Sequence, residues 1–199
     1  MFKTRFRIRG VLFLGLLLAT LPIVAVSSYL GIQYLRGNVH EVDPGELYRS
    51  GQLNASQIRD VTKRYGIRSI VNLRGASPKA KWYQEELAEA KALGLIHIDF
   101  KMLATRELSM DRAAALEAAL RDVPKPVLIH CEGGSDRSGL ASAIFMHRIR
   151  GMDIEKAEGQ ISLYYGHFSI PHLSQAYPMD QTWEKLEDLY RANEREARL

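Results

Sequence analysis

The chain has one cysteine in 199 residues, Cys131, so no disulfide can form within it. A small disulfide-stapled fold is therefore excluded, and a lone thiol is compatible with an oxidising compartment because it has no partner to misjoin. No group of histidines, cysteines and carboxylates has metal-ligand spacing, so neither a metal centre nor a cofactor is expected. There is no internal repeat and no low-complexity tract, which argues against a solenoid or a long disordered tail. The chain also lacks a basic domain face. Lys3, Arg5, Arg7 and Arg9 are four of its 27 basic residues, and the other 23 match the 23 acidic ones. The net charge of +4 thus belongs to the first ten residues, and no nucleic-acid partner is expected.

Two further absences lie near the start. No acidic residue precedes Glu41, and no charge of either sign occurs from Val11 to Leu35. As a helix, that uncharged run would extend roughly 37 Å, enough to cross a hydrocarbon core of about 30 Å with some tilt. The reading is a basic tail at 1–10, a transmembrane anchor at 11–35, a polar linker at 36–43 and a folded domain at 44–199. A cleaved signal segment ending near Ala25-Val26-Ser27 is the competing reading. Four cations before the span and only Arg36 just after it place the tail in the cytoplasm. The expectation is then a single-pass protein of the cytoplasmic membrane with its domain outside, periplasmic in a bacterium.

What is present is an alternation of apolar strands and amphipathic helices. Leu47–Arg49 reads as a short strand. Asn54 and Gln57 form a capping-box pattern, with Gly66 as the helix stop. Ile67–Arg74 and Leu95–Phe100 read as strands, with a helix at Lys79–Leu93 between them. Ser109 caps the next helix, Val127–His130 is a buried strand, and helices follow at Ser138–Arg150, Asp153–Tyr165 and Asp180–Arg195. The fold class is α/β: a central, mostly parallel sheet with helices on both faces.

The stretch His130–Gly139, HCEGGSDRSG, joins the last strand to a helix. In such sheets, sites form at the carboxyl ends of strands. The first amides of the following helix lack internal partners, and Gly133 and Gly134 let a loop turn its N–H groups inward. Glu132, Gly133, Gly134, Ser135 and Asp136 would then form an anion cradle closed by Arg137, whose planar fork matches two phosphate oxygens. Those donors would also stabilise a Cys131 thiolate. Ser138 can donate to the sulfur, and His130 can order the loop. The alternative for Cys131 is a buried inert cysteine at a strand end; the spacing to Arg137 argues against it. The same spacing and the following Ser-Gly argue against a rhodanese-like sulfur carrier.

His130-Cys131-x-x-Gly134-x-x-Arg137-Ser138-Gly139 resembles the signature of cysteine-based protein tyrosine phosphatases, in particular the compact dual-specificity type of bacteria. Leu47–Gln52, LYRSGQ, and Ile70–Arg74, IVNLR, resemble neighbouring segments of that family, and the likeness covers about Asp43 to Gly166. The resemblance implies a metal-free phosphomonoester hydrolase. Cys131 would form a phosphocysteine, Arg137 would stabilise the transferring group, and a general acid would protonate the leaving oxygen. The family's acid is an aspartate on the loop before the nucleophile strand. Here that loop, KMLATREL, has none: Thr105 stands where one is expected, and Glu107 is the nearest carboxylic acid. Asp136 is the other candidate, on the likeness of an Asp-Arg pair in myotubularin-type lipid phosphatases.

Asp111 has a sufficient role at a helix N-terminus, and Asp99 reads as structural or exposed. Arg74 and Arg106 could hold substrate or be surface groups. Tyr164, Tyr165 and Trp183 could line a pocket, although their spacing suits core packing. Three functions remain open: a protein-tyrosine or dual-specificity phosphatase; a phosphatase of a phospholipid or small phosphoester; and a phosphate-binding module without turnover. The loop has no lysine, which disfavours polyanionic head groups.

Overall fold

A computed structural model describes residues 2–197, with the side chains of residues 2–17 and of Ala19 outside that description. The chain forms two compact units, an N-terminal helix and a domain beginning at Gly37. The helix, α1, runs Phe2–Leu35. Among the described residues no helix is long and apolar enough to cross a membrane. The structure therefore lends no support to the expected span at Val11–Leu35, part of which lies outside the described side chains.

In the domain the strands are β1 (His40–Asp43), β2 (Leu47–Ser50), β3 (Ser69–Asn72), β4 (Ile96–Asp99) and β5 (Val127–His130). They form one sheet in the order β1-β2-β5-β3-β4, in which all pairs are parallel except β1 with β2. The helices are α2 (Ala55–Tyr65), α3 (Lys81–Ala92), α4 (Met110–Asp122), α5 (Asp136–Arg148), α6 (Ile154–Glu158) and α7 (Tyr177–Glu196).

Local signals account for several of these bounds. Asn54 accepts from the Gln57 amide while the Gln57 side chain accepts from the Asn54 amide, closing the capping box that starts α2. Gly66 ends the same helix with φ 66°, a left-handed conformation that costs glycine little. Ser109 caps α4. Because successive strand residues face opposite ways, each of the three inner strands feeds two cores. Leu47, Val71, Val127 and Ile129 pack with Leu116 and Leu120 of α4, Ile144 and Phe145 of α5 and Trp183 of α7. Tyr48, Ile70 and Leu128 pack with Ile58 and Val61 of α2 and Ala90 of α3.

Four sequence expectations shift. The stretch taken as linker, 36–43, carries β1, a half-buried edge strand whose polar His-Glu-Val-Asp sequence hides its pairing. The helix expected over Asp153–Tyr165 stops at Glu158, and a single 3-10 turn follows at Leu163–Tyr165. The chain between them presses on α5: a Cβ at Gly139 would lie 3.0 Å from the Gln160 carbonyl. Helix α5 begins two residues before Ser138, with Asp136 at its positive end. Helix α7 begins before Asp180, with Pro178 in its first turn.

Candidate active site

Strand β5 is the middle strand, buried along its whole length, so its carboxyl end lies in the centre of the sheet edge. The loop that leaves it places Cys131 at 2% exposure with its sulfur inside the turn. The Gly134 amide donates to Sγ at 3.2 Å, and the Ser138 hydroxyl lies 3.6 Å from it. The sulfur thus has a backbone N–H and a hydroxyl within reach.

What turns the loop amides inward is the capture of its carbonyls from outside. The Gln52 amide donates to Glu132 O at 2.9 Å, and Asn38 Nδ2 donates to Gly133 O at 3.0 Å. Arg49 Nη2 donates to Gly134 O at 3.1 Å and to Ser135 O at 2.8 Å. Four successive peptide groups are thereby fixed with their oxygens away from the sulfur. Gly134 adopts φ 77°, and a Cβ there would sit 2.4 Å from the Gly51 amide, so loop and β2 end touch backbone to backbone. Arg49 itself is fully buried. Its guanidinium also donates to Gln160 O at 2.7 Å and lies 4.2 Å from the Tyr165 ring centre. Burial lowers its pKa to about 10, against the opposing charges of Cys131, Tyr165 and Asp136.

The two ends of the loop are tied to carboxylates. His130 Nε2 lies 3.1 Å from Glu86 Oε1, which His97 Nε2 also meets at 2.8 Å, and Gln52 Nε2 donates to Glu86 Oε2 at 2.6 Å. Burial pushes the Glu86 pKa upward, but the bonds from His130, His97 and Gln52 prevail and hold it at about 2. At the other end, His167 Nδ1 lies 2.8 Å from Asp136 Oδ1, and its Nε2 lies 3.1 Å from both oxygens of Asp180. Arg137 reaches Met102 O at 3.4 Å through Nη1, and its Nε is buried without a partner in the protein.

A model of the tyrosine phosphatase family matches residues 31–156, more than half of the chain. The chain belongs to the tyrosine phosphatase family. Similar solved structures include TpbA of P. aeruginosa, 21% identical with a TM-score of 0.51, covering 76% of this chain and 91% of that one. The core catalytic domain of the PP-IP phosphatase SIW14 from S. cerevisiae is 19% identical with a TM-score of 0.56, covering 79% and 93%. PTPMT1 is 14% identical with a TM-score of 0.56, covering 77% and 99%. At such identity these likenesses show a shared fold. No curated protein matches the chain.

The remaining residues of this phosphatase distribute as follows. Glu132 is exposed, and Gly133 and Ser135 are half-buried. Glu107 is paired with Lys185 on the surface and lines a cavity of about 240 Å³ together with Met102, Arg106 and Arg112. Asp111 lies in the first turn of α4. Asp99 accepts from Asn72 at 2.8 Å and from the Tyr83 hydroxyl, a structural placement. Arg74 stacks on Trp82, 3.8 Å from its ring centre, and donates to Gln52. Trp183 packs in the core and Tyr165 lies under Arg49, whereas Tyr164 is 61% exposed, against the core packing its spacing suggests. Among the described residues no three His, Cys, Asp or Glu side chains are grouped to hold a metal.

The sequence alone does not single out Asn38, Glu86 or His167, and it marks Arg49 only as part of a short strand and of LYRSGQ.

Proposed function

We propose that the enzyme hydrolyses phosphomonoesters through a phosphocysteine, with phosphotyrosine and other phosphorylated side chains of proteins as substrates. Cys131 Sγ attacks phosphorus as the ester P–O bond breaks, and the leaving oxygen takes a proton from a general acid. Water then attacks phosphorus, the S–P bond breaks, and the acid recovers its proton from the water. Arg137 and the inward amides bind the non-bridging oxygens through both steps. The observation that carries this reading is the outward capture of four consecutive loop carbonyls around a buried cysteine sulfur.

Glu107 is the proton donor in this proposal. It lines the cavity that Met102 shares, and Met102 O receives Arg137. Its pair with Lys185 is exposed on both sides, a type worth about 0–1 kcal/mol, so the carboxyl can exchange partners. Asp136, in contrast, is engaged by His167.

The test is hydrolysis of an aryl phosphate by the purified chain without added metal. Cys131→Ser abolishes it; turnover by the serine variant, or none by the parent, overturns the mechanism. Glu107→Gln slows esters with poor leaving groups most, and an equal effect on good ones removes Glu107 from the role.

A second reading, a membrane-borne phosphoester, is favoured by one feature. Residues 159–179 contain no Asp, Glu, Lys or Arg, and Tyr164, Phe168 and Leu173 are exposed there. On this reading the uncharged run Val11–Leu35 holds the domain at the outer side of a cytoplasmic membrane, as its charge pattern suggests. Profiling phosphopeptides against phospholipid vesicles separates the two, and carbonate extraction of membranes tests the anchor.

A further inference from the structure

The charge-free run 159–179 contributes two histidines, and one of them is buried between two acids. His167 is 5% exposed, with Asp136 of α5 on one side and Asp180 of α7 on the other. Both ring nitrogens meet carboxylate oxygens, which can only accept. Both must therefore donate, and imidazole donates twice only when it is protonated. The bond to Asp136 engages its carboxylate with His167, one residue before Arg137.

We infer that His167 is a positioning residue of the nucleophile loop: it holds the Asp136 carboxylate away from the bound phosphate and supplies the positive charge that lets a loop with its own acid bind an anion. The inference rests on the phosphatase reading. Without that charge, the two carboxylates would face the loop's end with no cation between them, where a phosphate dianion would bind. Other groups face the cluster. Arg49 of β2 lies near Asp136, Glu158 of α6 near Asp180, and the Ser169 hydroxyl donates to Asp180. Burial works against the His167 charge, but the two aspartates raise its pKa to about 9. The imidazolium therefore persists through neutral pH and is lost as pH rises through that value.

The test is steady-state kinetics of the full chain with an aryl phosphate from about pH 6 to about pH 10, with thermal melting of every variant. For the parent, KM rises above about pH 9. His167→Gln keeps a donor and loses the charge. Its KM at neutral pH is raised about tenfold, kcat moves by less than about threefold, and the alkaline rise in KM disappears. Asp136→Asn added to His167→Gln restores KM to within about threefold of the parent, because the charge that needed compensation is gone. Asp180→Asn, the milder variant should His167→Gln unfold, moves the alkaline rise of KM toward neutral pH. An unchanged KM in folded His167→Gln, failure of Asp136→Asn to rescue it, or an unmoved alkaline rise in Asp180→Asn overturns the inference. An inactive parent overturns the phosphatase reading instead.

Discussion

The proposed nucleophile loop is anchored at both ends by a carboxylate–histidine cluster whose central group is buried, and the two clusters are inverted copies of each other. Behind Cys131, one carboxylate, Glu86, sits between two histidines, His97 and His130. At the helix end, one histidine, His167, sits between two carboxylates, Asp136 and Asp180. In each case the central group keeps its charge because its neighbours reward it for doing so, despite burial. The difference is directional. The first cluster fixes a negative charge behind the thiolate and ties down the strand end. The second sets one positive charge between two carboxylates and so offsets the acid that the loop itself carries. On the proposed mechanism the loop gains when its own acid, Asp136, is partly neutralised and the other buried carboxylate, Glu86, is held behind the strand end.

The largest expected effect comes from breaking the first cluster. Glu86→Ala leaves two buried histidines without their acceptor and should cost about 3–5 kcal/mol in urea unfolding, with aryl phosphatase turnover falling in parallel. A loss below about 1 kcal/mol would mean that the cluster follows the fold and does not hold it. Next is Arg49→Met, which abandons three carbonyls but also removes a buried charge, for a net loss of about 1–3 kcal/mol. Its activity should drop further than its stability, since Gly134 and Ser135 lose their hold; a stable, fully active variant would show that the loop keeps its shape unaided.

The two clusters also respond to opposite ends of the pH scale. Glu86 is held below its usual 4.5, so its contribution is complete above that value and is lost as pH falls toward about 2. His167 is raised above its usual 6.5, so its contribution is complete below that value and is lost as pH rises through about 9. A plot of melting temperature against pH should fall at both ends; Glu86→Gln should flatten the acid limb, and His167→Gln the alkaline one. Both variants flattening the same limb would remove the distinction. The smallest effect belongs to the surface pair: Lys185→Ala should change stability by less than about 1 kcal/mol.

Much of this domain was legible in its sequence because the signals were local. The capping box at Asn54, the apolar run at Val127 and the glycines of the loop each announce themselves within a few residues. The loop's support was not legible because its partners are remote. Glu86 and His130 are 44 positions apart, Asp136 and His167 are 31, and Arg49 and Gly134 are 85. Composition also misleads here, since a charged residue reads as a surface residue until a folded partner appears. Edge strand β1 was hidden for the same reason: its pairing, not its polarity, makes it a strand.

The outward capture of the four loop carbonyls has one more consequence. In the proposed mechanism the grip on phosphate comes from peptide groups, and their orientation is dictated by Asn38, Arg49 and Gln52, none of which belongs to the loop. Side chains at Glu132 and Ser135 are thereby relieved of any part in shaping the cradle. They form an outer rim that can be rewritten to choose among substrates while the inner mould stays as cast.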